Sequence, residues 1–126
     1  MPELPDVTLY IEALEARVVG RTLARVKLLN PFLLRTAVPP IASAEGREVT
    51  SVCRIGKRIV LVLDGSLYLV LHLMIAGRLQ WLLPGRKPPG RITLALLEFD
   101  NGTLAFTEAG TKRRASMHLL STLEGL

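Results

Sequence analysis

The amino-acid sequence predicts an α+β, mostly β protein: a two-layer antiparallel β-sandwich with an N-terminal helix. Apolar residues recur at helical spacing near the start of the chain, whereas later apolar segments are short and either alternate with polar residues or run without interruption. Turn-forming pairs such as Asp64-Gly65 and Asn101-Gly102 separate these segments, as is typical of antiparallel strands. With 126 residues, 49% of them hydrophobic, the chain is long enough for one domain with a modest core.

The N-terminal helix is predicted from a stripe of apolar residues at three- and four-residue spacing: Val7, Tyr10, Ile11, Leu14 and Val18. Pro5 suits the first helical turn, where its missing N–H costs no hydrogen bond. Gly20 follows the stripe and is a natural end for the helix.

The remaining elements are predicted from period-two alternation, uninterrupted apolar runs and turn signals. Residues 24–28 alternate as a half-buried strand does, and the proline-rich stretch 32–46 is expected to be irregular, with a short helical turn near 41–44. The strands expected after it are a pair over 47–63 that turns at Gly56-Lys57, a buried strand over 66–74, a short strand over 79–83, and a hairpin over 91–107.

Composition limits the classes of function. Sixteen Lys and Arg against eleven Asp and Glu give a net charge of +5, which is compatible with a polyanionic partner, although many ordinary soluble proteins are also basic. Cys53 is the single cysteine, so neither an intramolecular disulfide nor a multi-cysteine zinc site can form, and its apolar surroundings predict a buried, inert thiol. The sequence shows no targeting segment, and its longest uncharged stretch, 65–77, is too short to cross a bilayer. A cytoplasmic protein is expected.

The first candidate site is the N-terminal sequence MPELPDV. Removal of Met1 would leave Pro2 with a free secondary amine, and a helix N-terminus behind that amine favours its neutral, nucleophilic form. Such an amine can attack an electrophilic carbon, as a Schiff-base lysine does. Glu3 could transfer a proton during the attack, and Asp6 suits the positive end of the helix dipole. From these residues alone, the simpler interpretation is that Pro2 and Pro5 shape the start of the helix and Glu3 caps it.

Three further segments carry candidate binding residues. Lys57 lies at the expected hairpin tip, where it could bind a phosphate or be a solvated charge. His72 precedes a glycine-containing turn that holds Met74 and Ile75, although a lone histidine in an apolar strand is more often a core residue. The run Lys112-Arg113-Arg114, as a bare charge run, is most often a solvated loop.

The opening MPELPDV closely resembles the MPELPE start of the formamidopyrimidine-DNA glycosylase and endonuclease VIII family of base-excision repair enzymes. The resemblance implies that Pro2 is the nucleophile and Glu3 a catalytic acid, with Asp6 in place of the motif's second glutamate. Lys57 matches the family's hairpin lysine, which serves as a proton donor and phosphate contact.

Two other segments are similar to family motifs. Residues 72–77 resemble an HLGMSG-like segment, in which His72 matches the histidine that contacts a DNA phosphate. Met74 falls on the family's glycine and Ile75 on the methionine that fills the gap left by a flipped nucleotide, so either residue could be the apolar wedge. Residues 108–116 correspond to a DPRRFG-like loop but lack its aromatic residue, so only phosphate contacts are expected there, from Lys112, Arg113 and Arg114.

The resemblance implies a bifunctional DNA glycosylase and AP lyase that removes oxidised bases from damaged double-stranded DNA through a Schiff base at Pro2. The damaged base would have to leave the stack, at a cost of roughly a few kcal/mol. Residues 1–116 would form the N-terminal catalytic domain, and residues 117–126 would start a linker towards a helix-two-turns-helix domain. No cofactor is expected in this chain, because zinc would belong only to that C-terminal region.

Two other functions stay open on the sequence. A DNA-binding or scaffold fragment without turnover is one, because a retained Met1 would make the Pro2 nitrogen an unreactive amide. A tautomerase acting on small keto acids would share the Pro2 amine, but that chemistry requires neither the lysine hairpin nor the basic run.

Overall fold

In the computed structural model, residues 4–110 and 114–124 are described, with residues 4–7 described by their backbone alone. These residues form helix α1 (Leu4–Val18) and nine strands: β1 (Thr22–Leu23), β2 (Arg25–Leu28), β3 (Arg47–Ile55), β4 (Arg58–Leu63), β5 (Leu67–His72), β6 (Gly77–Leu82), β7 (Thr93–Phe99), β8 (Gly102–Glu108) and β9 (Ser116–Leu120). Two short 3₁₀ turns, Pro31–Leu33 and Ile41–Ala44, lie between β2 and β3.

The strands of the described residues pair antiparallel in two sheets, with the orders β1-β3-β4-β5-β9 and β2-β7-β8-β6. Alternate side chains of each sheet point inward and meet in one core, to which Leu61 and Leu71 contribute from the first sheet and Leu97 and Phe106 from the second. The predicted mostly β sandwich is confirmed.

Helix α1 packs against β3 and β4 through the predicted apolar stripe. Leu14 and Val18 are buried, and Tyr10 and Ile11 pack against the same core. Gly20 ends the helical segment with a φ of +83°, and its N–H donates a hydrogen bond of 2.8 Å to the carbonyl of Val49. The helix therefore begins and ends close to the predicted residues.

The end of the chain differs from the prediction. Residues 117–120, expected to start a linker, continue from Ser116 as β9, which pairs with β5 and buries Met117 and Leu119 completely. The alternation of these two residues with His118 is too short to be distinguished from a loop in the sequence, and the pairing with β5 is what orders it. These residues therefore belong to the sandwich, while a linker further on and a following domain stay predictions.

Two details also depart from the sequence predictions. Cys53 is only half-buried, because it lies on the face of β3 opposite Val52 and the core; partial burial raises the pKa of its thiol. The strand predicted over 66–74 ends at His72, because the Gly77 N–H donates to the Leu73 carbonyl at 2.8 Å and closes a turn. No helix in the described part of the chain is long and apolar enough to span a membrane.

Candidate functional site

Some predicted site residues lie outside the described part of the chain. These are Pro2, Glu3, Lys112 and Arg113, and the side chain of Asp6 also lies outside it. Helix α1 begins at Leu4, directly after Glu3 in the sequence. The roles expected for these five residues stay predictions.

Lys57 lies at the tip of the β3–β4 hairpin, as the sequence predicts. Ile55 and Arg58 form the last pair of the ladder, and Gly56 turns the chain with a φ of +61°. Glycine suits this left-handed conformation because it has no Cβ. Arg54 donates from Nη1 to the Gly56 carbonyl at 3.3 Å, so basic residues surround the turn.

His72 closes strand β5 in register with Arg58 on β4 and Ser116 on β9. Registered residues of neighbouring strands share one face of a sheet, which places His72 and Arg58 together on the outward face. His72 is half-buried rather than a core residue, and this partial burial lowers the pKa of its imidazole. The positive charges of Arg58 and Lys57 lower that pKa further.

His118 belongs to the same face, and sequence reasoning missed it. It registers with Val70, two residues before His72 on β5, so the two histidines are diagonal neighbours across the β5–β9 pair. Partial burial lowers the pKa of His118, and the nearby charges of Arg35 and Arg58 lower it further. The pairing of β9 with β5 brings His118 to this face, and the sequence alone predicted no strand there.

We name this group the cationic row, formed by Lys57, Arg58, His72, His118 and Arg35. Among the described residues, the side chains whose charges lower the pKa of its two histidines are arginine, lysine and histidine alone. Lys57, Arg58 and Arg35 can each neutralise a phosphate of a polyanion, and the two neutral imidazoles can donate hydrogen bonds to it. The row is therefore suited to an extended phosphate backbone.

The turn between β5 and β6 presents an apolar residue beside this row. Met74 is half-buried and adopts a φ of +58°, whereas Ile75 follows with 57% of its surface exposed. A left-handed residue is most easily a glycine, which agrees with the alignment of Met74 to a glycine in the resembled motif. Of the two wedge candidates, Ile75 is the one that projects into solvent.

Glu108 is a site residue whose role sequence reasoning missed. Its side chain is 1% exposed, and its Oε2 accepts hydrogen bonds from the N–H groups of Arg114 at 3.0 Å and Ala115 at 2.9 Å. Its Oε1 has no hydrogen-bond partner among the residues that the structure describes. The carboxylate thus holds the backbone at 114–115 against the end of β8.

An open cleft of about 360 Å³ lies at this point, lined by Ile75, Ala76, Glu108 and Arg114. Arg114 is exposed, so a cation and an apolar side chain border the same opening. Within the described ranges, no group of three or more His, Cys, Asp or Glu residues could hold a metal ion. The described lining of the cleft therefore combines an apolar side chain, a cation and the buried carboxylate of Glu108.

The sandwich has a fold that is known from solved structures. A crystal structure of Lactococcus lactis formamidopyrimidine-DNA glycosylase non-covalently bound to DNA containing an AP site matches it with a TM-score of 0.84 and 20% sequence identity, covering 94% of this chain and 45% of that chain. A complex of the Lactococcus lactis protein with DNA containing FAPY-dG matches with a TM-score of 0.84, 20% identity, and 94% and 44% coverage. These likenesses establish the fold.

The chain belongs to the formamidopyrimidine-DNA glycosylase family, since the model of that family's N-terminal domain matches residues 1–116. The formamidopyrimidine-DNA glycosylase of Solibacter usitatus is 42% identical over 111 residues, which are 86% of this chain and 40% of the relative. The Roseiflexus sp. protein of the same name is 37% identical over 109 residues, 84% of this chain and 40% of the relative. The chain thus spans about two fifths of the length of these relatives.

Proposed function

We propose that this chain acts on damaged double-stranded DNA as the N-terminal catalytic domain of a DNA glycosylase of base-excision repair, with AP lyase activity at Pro2. The observation that carries the proposal is the family match over residues 1–116, which includes the Pro2-Glu3 opening. The cationic row and the exposed Ile75 support it, because they supply a phosphate-binding surface and an apolar wedge side by side.

The proposed reaction begins when the Pro2 amine attacks C1′ of the damaged nucleotide. The C1′–N bond breaks, and the base leaves with the bonding electron pair and takes up the proton that the Pro2 nitrogen loses. Glu3 then protonates the ring oxygen, the sugar opens, and an iminium joins Pro2 to C1′. Removal of a proton from C2′ expels the 3′ phosphate by β-elimination, and removal of the C4′ proton expels the 5′ phosphate by δ-elimination, so the strand is cleaved on both sides. Water then hydrolyses the iminium and frees the amine.

The described residues have binding roles in this scheme. Lys57 and His72 would contact phosphates next to the lesion, and Lys57 would also assist proton transfer. Ile75 would occupy the space left by the flipped nucleotide, which offsets part of the unstacking cost. Arg114 would add a phosphate contact at the cleft, and Lys112 and Arg113, which lie outside the described residues, are proposed as further phosphate contacts.

Borohydride trapping tests the proposal directly. The chain, with loss of Met1 verified by mass spectrometry, is incubated with an abasic-site duplex and sodium borohydride, which reduces an iminium to a stable amine. We expect a covalent protein–DNA adduct that disappears when the N-terminal amine is chemically blocked. A Pro2→Gly variant tests whether the secondary amine is required for adduct formation.

A second candidate function is DNA binding without turnover, which the cationic row favours because its phosphate contacts do not depend on a reactive Pro2. It predicts affinity for the abasic duplex but no adduct from a folded, Met-processed chain. The chain would then be extended with the C-terminal region of a relative and the trapping repeated. An adduct formed only by the extended protein would show that catalysis requires both regions.

A further inference from the structure

Phe32 is the one phenylalanine that the fold does not bury. The sequence contains three phenylalanines; Phe99 and Phe106 are 7% and 1% exposed, whereas Phe32 is 82% exposed. A ring kept in water forgoes the free energy that burial of a phenylalanine normally contributes. Single exposed apolar residues are common, so the position of Phe32 and its support must decide whether it has a role.

The backbone of Phe32 is held on both sides. The Asn30 side chain accepts a hydrogen bond of 3.0 Å from the Phe32 N–H, and Arg35 donates from Nε to the Phe32 carbonyl at 2.8 Å. Leu33, the next residue, is 2% exposed and packs in the core. The Arg35 N–H also donates to Met117 of β9 at 2.9 Å. The ring is therefore displayed from a pre-organised turn, which reduces the cost of ordering it on binding.

The surroundings of Phe32 are continuous with the candidate site. The Arg35 N–H donates to the carbonyl of Met117, the residue before His118, and His118 and His72 are diagonal neighbours across β9 and β5, so the cationic row leads from Lys57 to the Phe32 turn. On its other side, Phe32 borders a hollow of about 20 Å³ together with Ala115, and Ala115 follows Arg114 of the cleft.

This hollow is far too small for a nucleobase, so a ligand of that size has to lie on the outer face of the ring. An aromatic ring next to cations is the arrangement that binds single-stranded nucleic acids, because any base can stack on the ring while the cations contact the phosphates. The neighbouring aliphatic residues would offer a base no comparable π surface.

We infer that Phe32 is a stacking surface for an unpaired base of DNA, with Arg35 contacting the adjoining phosphate. The inference rests on the proposed function, since it requires that the cationic row binds DNA, and it adds a base-contacting residue outside the motifs of the N-terminus, the lysine hairpin and the wedge turn. Residues 108–116 contain no aromatic side chain, and in this proposal the 3₁₀ turn Pro31–Leu33 provides one through Phe32.

The test uses an abasic-site duplex with 2-aminopurine, a base whose fluorescence falls on stacking, opposite the abasic site. Phe32→Ala and Phe32→Leu remove the aromatic ring, and Phe32→Trp retains one. Val38→Ala is the matched control, because Val38 is 84% exposed in the same irregular segment and borders neither hollow nor cleft. Thermal unfolding verifies that each variant folds.

We expect Phe32→Ala and Phe32→Leu to weaken binding about tenfold and to restore 2-aminopurine fluorescence, while Phe32→Trp and Val38→Ala bind as the unaltered chain does. The slope of the logarithm of the binding constant against the logarithm of the salt concentration should be unchanged in Phe32→Ala, because no charge is removed. In Arg35→Ala this slope should become shallower by about one, because one phosphate contact is lost. Borohydride trapping of the same variants reports on the proposed function separately.

Different results would overturn the role of Phe32 and the proposed function. Unchanged affinity and fluorescence in Phe32→Ala, with DNA bound normally by the unaltered chain, would overturn the role of Phe32 and leave the proposed function standing. Equal losses in Phe32→Ala and Val38→Ala would also overturn it, since the effect would not belong to the ring. Failure of the unaltered chain to bind the duplex would overturn both proposals.

Discussion

Met74 adopts a backbone conformation that is unfavourable for a residue with a Cβ. Its φ of +58° is a left-handed conformation that costs a residue with a Cβ about 1–2 kcal/mol, whereas glycine loses more chain entropy on folding. The half-buried side chain of Met74 offsets part of this cost through its contacts. The fold therefore tolerates a methionine at the position of the motif's glycine. Ile75, the next residue, is the exposed apolar residue of the turn.

Comparison of Met74→Gly with Met74→Ala isolates the backbone cost, because both variants lose the methionine side chain and only alanine retains a Cβ. We expect Met74→Gly to have a free energy of unfolding about 1 kcal/mol higher than Met74→Ala, the reverse of the usual order of these residues. Urea denaturation measures the difference. An alanine variant as stable as the glycine variant would show that Met74 is not left-handed in solution.

The turn between β5 and β6 depends on a close approach of two backbone segments. A Cβ built on Gly77 would lie 2.2 Å from the carbonyl oxygen of Leu73, the same atom to which the Gly77 N–H donates. The contact is with backbone, so no side-chain rotation relieves it. Gly77 therefore sets the shape of the turn that carries Ile75 beside the cleft.

We expect Gly77→Ala to lower the free energy of unfolding by about 1–3 kcal/mol, because the backbone must move to accept the methyl group. Gly90→Ala is the matched control, since a Cβ at this position meets nothing within 4 Å. Urea denaturation of both variants is the measurement. Equal stability of the two would contradict the close contact at Gly77.

At the scale of the whole molecule, both histidines of the chain lie in the cationic row. Their pKa values in the folded state are lowered, in the first place by burial, below the ordinary value of about 6.5. The unfolded chain therefore binds protons at a higher pH than the folded chain does. The stability that the two neutral histidines contribute is complete above pH 6.5 and is lost as the pH falls through the lowered values.

The free energy of unfolding should therefore fall on acidification through the titration of these two histidines. Between pH 8 and pH 5, the free energy of unfolding should fall more steeply for the unaltered chain than for the double variant His72→Gln, His118→Gln, which contains no histidine. Urea denaturation across this pH range measures both slopes, and carboxylates outside the row contribute equally to each. Identical slopes would mean that the two imidazoles titrate as they do in the unfolded chain.

The sequence predicted those parts of the fold that depend on local patterns. The stripe ending at Val18, the hairpin tip at Lys57 and the turn at Asn101-Gly102 are each encoded in a separate window of about fifteen residues or fewer, where spacing and turn chemistry suffice. The short strand β9 was not predicted, because only its pairing with β5 distinguishes it from a loop.

The candidate site likewise combines residues that the sequence identified with features that only the fold revealed. The sequence by itself determined the family, through MPELPDV, and the candidates Lys57 and His72, because motif residues at set spacings need no partners to be recognised. Only the tertiary structure decided that Ile75 rather than Met74 is exposed and that His118 joins the cationic row. Exposure and proximity across strands depend on sheet register and backbone dihedrals, which contacts between segments distant in the chain determine.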